Sequence, residues 1–125
     1  MAWVVRAGAA GVKSLIEGYN RHLGVPGLFG FSVQYAPGKT VEELAQVARF
    51  PHGQISYADD AILAAAVAPL GYSVQLIKCP GGVHHHTFIV LYDASGVALH
   101  VLPRDAAVII SRTFQRRPNP YLHAW

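Results

Sequence analysis

The residues of this chain with chemistry to offer are seven histidines, ten lysines and arginines, and one cysteine. Three of the histidines stand together, His84-His85-His86, at the head of an apolar run that reads as a strand. Alternation puts His84 and His86 on one face and His85 on the other. Two strand positions are roughly 6.5–7 Å apart, close enough for two imidazoles to share a metal. A catalytic zinc needs a third ligand. His52, Asp59 and Asp93 are the available types, but none has diagnostic spacing and no HExxH motif is present. A metal on His84 and His86 is therefore not favoured, and no cofactor is expected. If residues 80–83 close a hairpin, Cys79 lies opposite His84, with Cβ atoms about 4.5–5.5 Å apart. It ends a strand and precedes Pro80, so no helix N-terminus lowers its pKa, and it reads as a packed thiol.

Metal-free acid–base chemistry is the other use of these residues, because histidine titrates near neutrality. Two imidazoles can cleave RNA, one as base and one as acid, with a cation holding the phosphate. The residues of the right types are His52, His85, His86, Tyr57 and Arg112. Candidate ligand contacts are Gln54 and Ser56 in Phe50-Pro51-His52-Gly53-Gln54-Ile55-Ser56, Thr87 beside His86, and Arg116 and Asn119 near the C-terminus. The first string also reads as a structural turn with Ser56 as a helix N-cap. Arg116-Arg117-Pro118-Asn119-Pro120 also reads as a plain helix stop.

These residues need a scaffold, and the composition bounds it. The chain has 125 residues, 52% apolar and 14% charged, which points to one folded domain rather than a disordered segment. One cysteine excludes a disulfide framework. No apolar run approaches the roughly 18 residues of a membrane span. The first residues lack the charged start of a signal peptide, so a cytoplasmic location is expected. The net charge of +3 is too mild to require nucleic acid. After Asp105 there is no acid, while Arg112, Arg116 and Arg117 follow, which suits the end of a helix. High apolarity in a small domain leaves apolar residues on the surface, a mark of an oligomer or partner interface.

Periodicity predicts the elements. Val12, Leu15, Ile16, Tyr19 and Leu23 share one face of a helix over 3–23, ended by Gly24. Phe29 to Tyr35 alternate as a strand that must join a sheet edge. Thr40-Val41-Glu42-Glu43 is a capping box, and Val41, Leu44, Val47 and Ala48 of its helix face inward. A second box, Ser56 to Asp59, opens a helix carrying Ile62, Leu63, Ala66, Val67 and Leu70. Tyr72–Leu76, His86–Tyr92 and Val97–Val101 form an antiparallel meander. His86–Tyr92 is apolar on both sides, hence central and covered. Pro103 starts a last helix over 103–115. The fold class is α+β, in the order α-β-α-α-β-β-β-α, with a mostly antiparallel four-stranded sheet. Residues 1–117 form the domain and 118–125 an extended tail.

The strings Gly-Phe-Ser-Val at 30–33, Phe50 to Ser56, His85-His86-Thr87 and Pro118-Asn119-Pro120 together resemble small bacterial domains of unassigned function over residues 28–120. The resemblance implies no activity. It implies only that Phe50–Ser56 and His86-Thr87 share a site. Size and α+β class are also similar to small toxin and conflict-system modules, a likeness of fold alone. The expected function is an interaction or assembly module, of a toxin or defence system, with a protein partner or as a homo-oligomer. The alternative is a metal-independent RNase-like toxin using histidine acid–base catalysis, with RNA as partner. A His-ligated metal hydrolase is the second alternative.

Overall fold

The computed structural model describes residues 2–20, 30–48, 53–79 and 85–119. In chain order the elements are β1 (Trp3–Ala7), α1 (Val12–Asn20), β2 (Phe31–Tyr35), α2 (Val41–Ala48), β3 (Gln54–Asp59), α3 (Asp60–Val67), β4 (Ser73–Lys78), β5 (His86–Tyr92), α4 (Arg104–Thr113) and β6 (Gln115–Pro118). The six strands form one sheet in the order β4-β5-β2-β1-β3-β6, with every neighbouring pair antiparallel. The class is α+β, with two more strands than the periodicity predicted. Among the described residues no helix is long and apolar enough to cross a membrane.

Helices cover both faces of the sheet. On one, Leu15 and Tyr19 of α1, Leu63 and Val67 of α3, and Ala106, Ala107 and Ile110 of α4 pack on Val4, Phe31, Val33, Ile89 and Leu91. We call this the three-helix face. On the other, Val41, Leu44 and Ala45 of α2 pack on Val5 and Ile55. The α2 start is the capping box the sequence predicts: Glu43 N–H donates to Thr40 Oγ1 at 3.1 Å, and Thr40 N–H to Glu43 Oε1 at 3.1 Å. The residues from Thr87 to Leu91 are buried without alternation, as expected of a strand covered on both sides.

Five expectations are corrected. Residues 3–7 are a strand, not the start of a helix: Val4 and Val5 are both buried, one on each face, and Gly8 takes φ +71° before α1 begins. A central strand shows no period of two, so its apolar run extends the helical pattern that follows it. β2 lies between β5 and β1 instead of at an edge, because that added strand occupies its flank. Residues 54–59 are a strand, and the cap of α3 is Asp59, whose carboxylate accepts from Ala61 N–H and Ile62 N–H at 2.9 and 3.2 Å. The expected last strand shrinks to one bridge, Tyr92 with Ala98, since β2 already takes most of that side of β5. Gln115–Pro118, read as the end of a helix and the start of a tail, pair with β3. Smaller departures are Ile62, which is 59% exposed, and Ala45, which is buried. Leu23 and Gly24 lie outside the described residues.

One glycine is dictated by closeness. Gly30 enters β2 with φ +124°, and a Cβ there would meet Ile89 O at 2.6 Å. Only glycine lets the chain approach β5 so closely.

Candidate functional site

The site begins with a defect in the sheet. β1 and β2 pair only at Val4 with Tyr35 and Val5 with Gln34. Beyond Val5 the ladder stops, and a cleft of about 300 Å³ opens, lined by Val5, Arg6, Ala7, Ser14, Ser32, Val33 and Gln34. Tyr35 N–H donates to His85 O at 3.0 Å, so odd residues of β2 bond to β5 and even ones turn toward β1. The Ser32 carbonyl therefore points at the gap. It accepts a bond from Arg6 Nη1 at 2.7 Å, where an unbroken ladder would supply a strand N–H.

Arg6 is placed from three sides. Its guanidinium lies 5.5 Å from the centre of the Phe31 ring, a cation–π contact. Nη2 stands 3.4 Å from Ser14 Oγ and 3.5 Å from Ser14 O on α1. Gly18, one helical turn further on, leaves room for the same group: a Cβ there would lie 3.0 Å from Nη2. Arginine on the three-helix face thus reaches through to the sheet plane.

Ser32 and Gln34 point to the α2 face. The Ser32 hydroxyl is in short hydrogen-bond contact with His86 Nε2. Gln34 Oε1 accepts from His85 N–H at 3.2 Å and fixes the entry to β5. The His86 ring rests on Phe88, 5.0 Å between centroids. Burial lowers the His86 pKa below its usual 6.5, because desolvation disfavours the charged imidazolium. At neutral pH the ring is therefore neutral, and one of its nitrogens is a proton acceptor.

The residues singled out from the sequence scatter around this centre. His86 (on β5), Gln34, Val5, Tyr57 and Gln115 form one row across the sheet on the α2 face. Tyr57 is three strands from His86, about 14 Å, and its hydroxyl donates to Gln115 Oε1 at 2.9 Å. Alternation from these registers puts Thr87, Ser56 and Arg116 on the three-helix face. Arg112 is exposed in the last turn of α4, which packs on that same face. The Ser56 hydroxyl is buried between main-chain groups, donating to Gly8 O at 2.7 Å and accepting from Ala10 N–H at 3.0 Å. Gln54 is exposed at the start of β3, and Asn119 is buried, its N–H on Gly53 O at 3.0 Å. His85 sits in the turn before β5, beside a second cleft of about 230 Å³ with Tyr35, Lys78 and Thr87 in its wall. His52 and His84 lie outside the described residues. Cys79 is opposite His86, not His84, since its N–H donates to His86 O at 3.1 Å. The connection between β4 and β5 is longer than a four-residue turn. Among the described residues no group of three or more His, Cys, Asp or Glu side chains could hold a metal ion.

Sequence reasoning missed Arg6, Ser14, Ser32 and Gln34. Ser32 and Gln34 carried a signal: they make a polar face on a strand whose flanks are aromatic. Arg6 carried a subtler one, a lone charge inside an apolar run. No family model, curated protein or solved structure matches this chain, so the reading of the site rests on its own geometry.

Proposed function

We propose that the cleft between β1 and β2 binds a nucleotide phosphate, as part of RNA, and that Ser32 and His86 move a proton there. The observation that carries this reading is the convergence on one short stretch of β2 of a guanidinium, two hydroxyls and a neutral imidazole. A guanidinium offers planar, always-charged donors suited to phosphate. The Ser14 hydroxyl adds a donor beside it, and the Ser32 hydroxyl lines the same cleft from the α2 face. His86 is neutral at pH 7 and touches Ser32 Oγ through Nε2, the geometry of a base acting through a hydroxyl.

The step is a transesterification within RNA. The ribose 2′-hydroxyl gives its proton to Ser32 Oγ as Ser32 passes its own to His86 Nε2. The 2′-oxygen bonds to phosphorus, the bond from phosphorus to the 5′-oxygen breaks, and that leaving oxygen takes a proton from water. Arg6 offsets the charge that builds on the phosphate oxygens. In this reading the cation is Arg6 rather than Arg112, and Tyr57 is too far away to serve.

A short RNA oligonucleotide incubated with the purified chain and a chelator tests it. Cleavage that survives the chelator and falls about 10²–10⁴-fold in His86→Ala is the expected result, the usual weight of a positioned base. Intact RNA with wild-type protein, or cleavage undiminished by His86→Ala, would overturn the reading.

A further inference from the structure

The two edges of the sheet are treated differently. β6 is four residues long and carries Arg116, Arg117 and Pro118, with Arg117 Nη1 tied to Glu42 Oε1 at 2.5 Å. Charges, proline and shortness are devices that keep an edge from pairing. β4 has neither proline nor shortness, and its one charge stands at its very end. It runs six residues, Ser73-Val74-Gln75-Leu76-Ile77-Lys78. Among the described residues nothing pairs with its outer side.

The direction of its main-chain groups is determined. Cys79 N–H bonds to His86 O, and the register continues through Lys78 with Thr87 to Ser73 with Tyr92. Odd residues therefore bond to β5, while Val74, Leu76 and Lys78 turn their N–H and C=O groups outward.

We infer that this edge joins β4 of a second copy of the chain, antiparallel across a two-fold axis at Leu76. In that register Leu76 bonds to Leu76, and Val74 of each copy bonds to Lys78 of the other. Every outward N–H and C=O of the three residues finds a partner. Each Lys78 faces Val74, so no like charges are opposed. Val74 and Leu76 extend one apolar row on the three-helix face, and Gln75 meets Ile77 on the other. A slip of one residue would turn the outward groups of the two edges out of phase. A slip of two would leave some of them unpaired. The partner is isologous, the commonest closed arrangement. This contact is independent of the cleft and its chemistry, and it is the assembly role that the apolar composition suggests.

Sedimentation across micromolar concentrations, combined with amide hydrogen exchange, tests the pairing. The expected mass is twice the 13.5 kDa of the chain. The amides of Val74, Leu76 and Lys78 should exchange at least about tenfold more slowly in the dimer than on dilution. Leu76→Lys keeps an aliphatic stem but sets two ammonium groups face to face, and should return the monomer mass. A monomer at every concentration, a dimer in which these three amides exchange as fast as in the monomer, or a folded Leu76→Lys dimer would each overturn the inference. Exchange on the wild-type chain decides the matter if Leu76→Lys does not fold.

Discussion

Tyr19→Phe isolates a single hydroxyl in the core. Tyr19 is fully buried. Its hydroxyl donates to Leu99 O at 2.7 Å and accepts from Leu91 N–H at 3.2 Å. It thus closes the end of β5 where β2 no longer pairs with it and the chain from Val97 to Leu99 folds back. Phenylalanine keeps the ring but strands the buried Leu91 N–H and removes a donor from Leu99 O. A buried group left without its partner costs about 1–3 kcal/mol, and the half-buried Leu99 carbonyl recovers part of its loss from water, so the total is about 2 kcal/mol. For a domain of this size that is a fall of roughly 6–10 °C in Tm. Circular dichroism melts measure it, and urea titration with an unchanged slope would show that only stability has moved. Burial also raises the Tyr19 pKa above 10.0. A group with a raised folded pKa contributes stability that is present below the unfolded value and lost as pH climbs through the folded one. The variant should therefore lose less stability than wild type above about pH 10. A Tm within about 1 °C of wild type would refute the reasoning, since the hydroxyl would then not be bridging these two groups.

Gly30→Ala should cost at least about 2 kcal/mol and lower Tm accordingly, because it combines a left-handed φ with a Cβ placed against Ile89 O. Gly38→Ala, also at positive φ but with nothing near its Cβ, should cost less; equal losses would remove the close approach from the explanation. His86 gives a pH signature. Its folded pKa is lowered from 6.5 by burial, so the stability it contributes is present above pH 6.5 and is lost as pH falls through the folded value. His86→Gln should flatten the fall in Tm as pH drops below 6.5; an unchanged slope would place the titrating group elsewhere.

The sequence made most of the helices legible because each has a local cause. The Thr40–Glu43 box, the face of α1 through Leu15 and Tyr19, and Gly71 at φ +87° are all statements about neighbours in the chain. Of the three missed strands, β1, β3 and β6, the first two are defined instead by what lies beside them. Val4-Val5 is buried on both faces and Ser56 is sunk against Gly8 and Ala10, so neither strand alternates. The candidate site was half legible. His86 stood out by type. Its partner Ser32 comes from a strand 54 residues earlier, and Arg6 reaches the same place only because β1 and β2 part after Val5. Neither the register of β2 on β5 nor the gap beside it can be read from local periodicity. The polar residues in the loop reading of Gln54–Ser56 attracted attention by composition, yet Ser56 serves the main chain.

The central claim is that Arg6, Ser32 and His86 form one phosphate-binding centre. The measurement that tests it most directly is a ¹H–¹⁵N spectrum of the wild-type chain titrated with a mononucleotide and with a short RNA, together with the Arg6→Gln variant. The account predicts saturable shifts at Arg6, Ser14, Ser32, Gln34 and the His86 ring nitrogens, weakened at least about tenfold by Arg6→Gln, the loss of one charge-assisted contact. Shifts with the RNA alone would place the phosphate within a polymer, and shifts with both would make the mononucleotide sufficient. No shift at these residues with either ligand, or equal binding by Arg6→Gln, would contradict it.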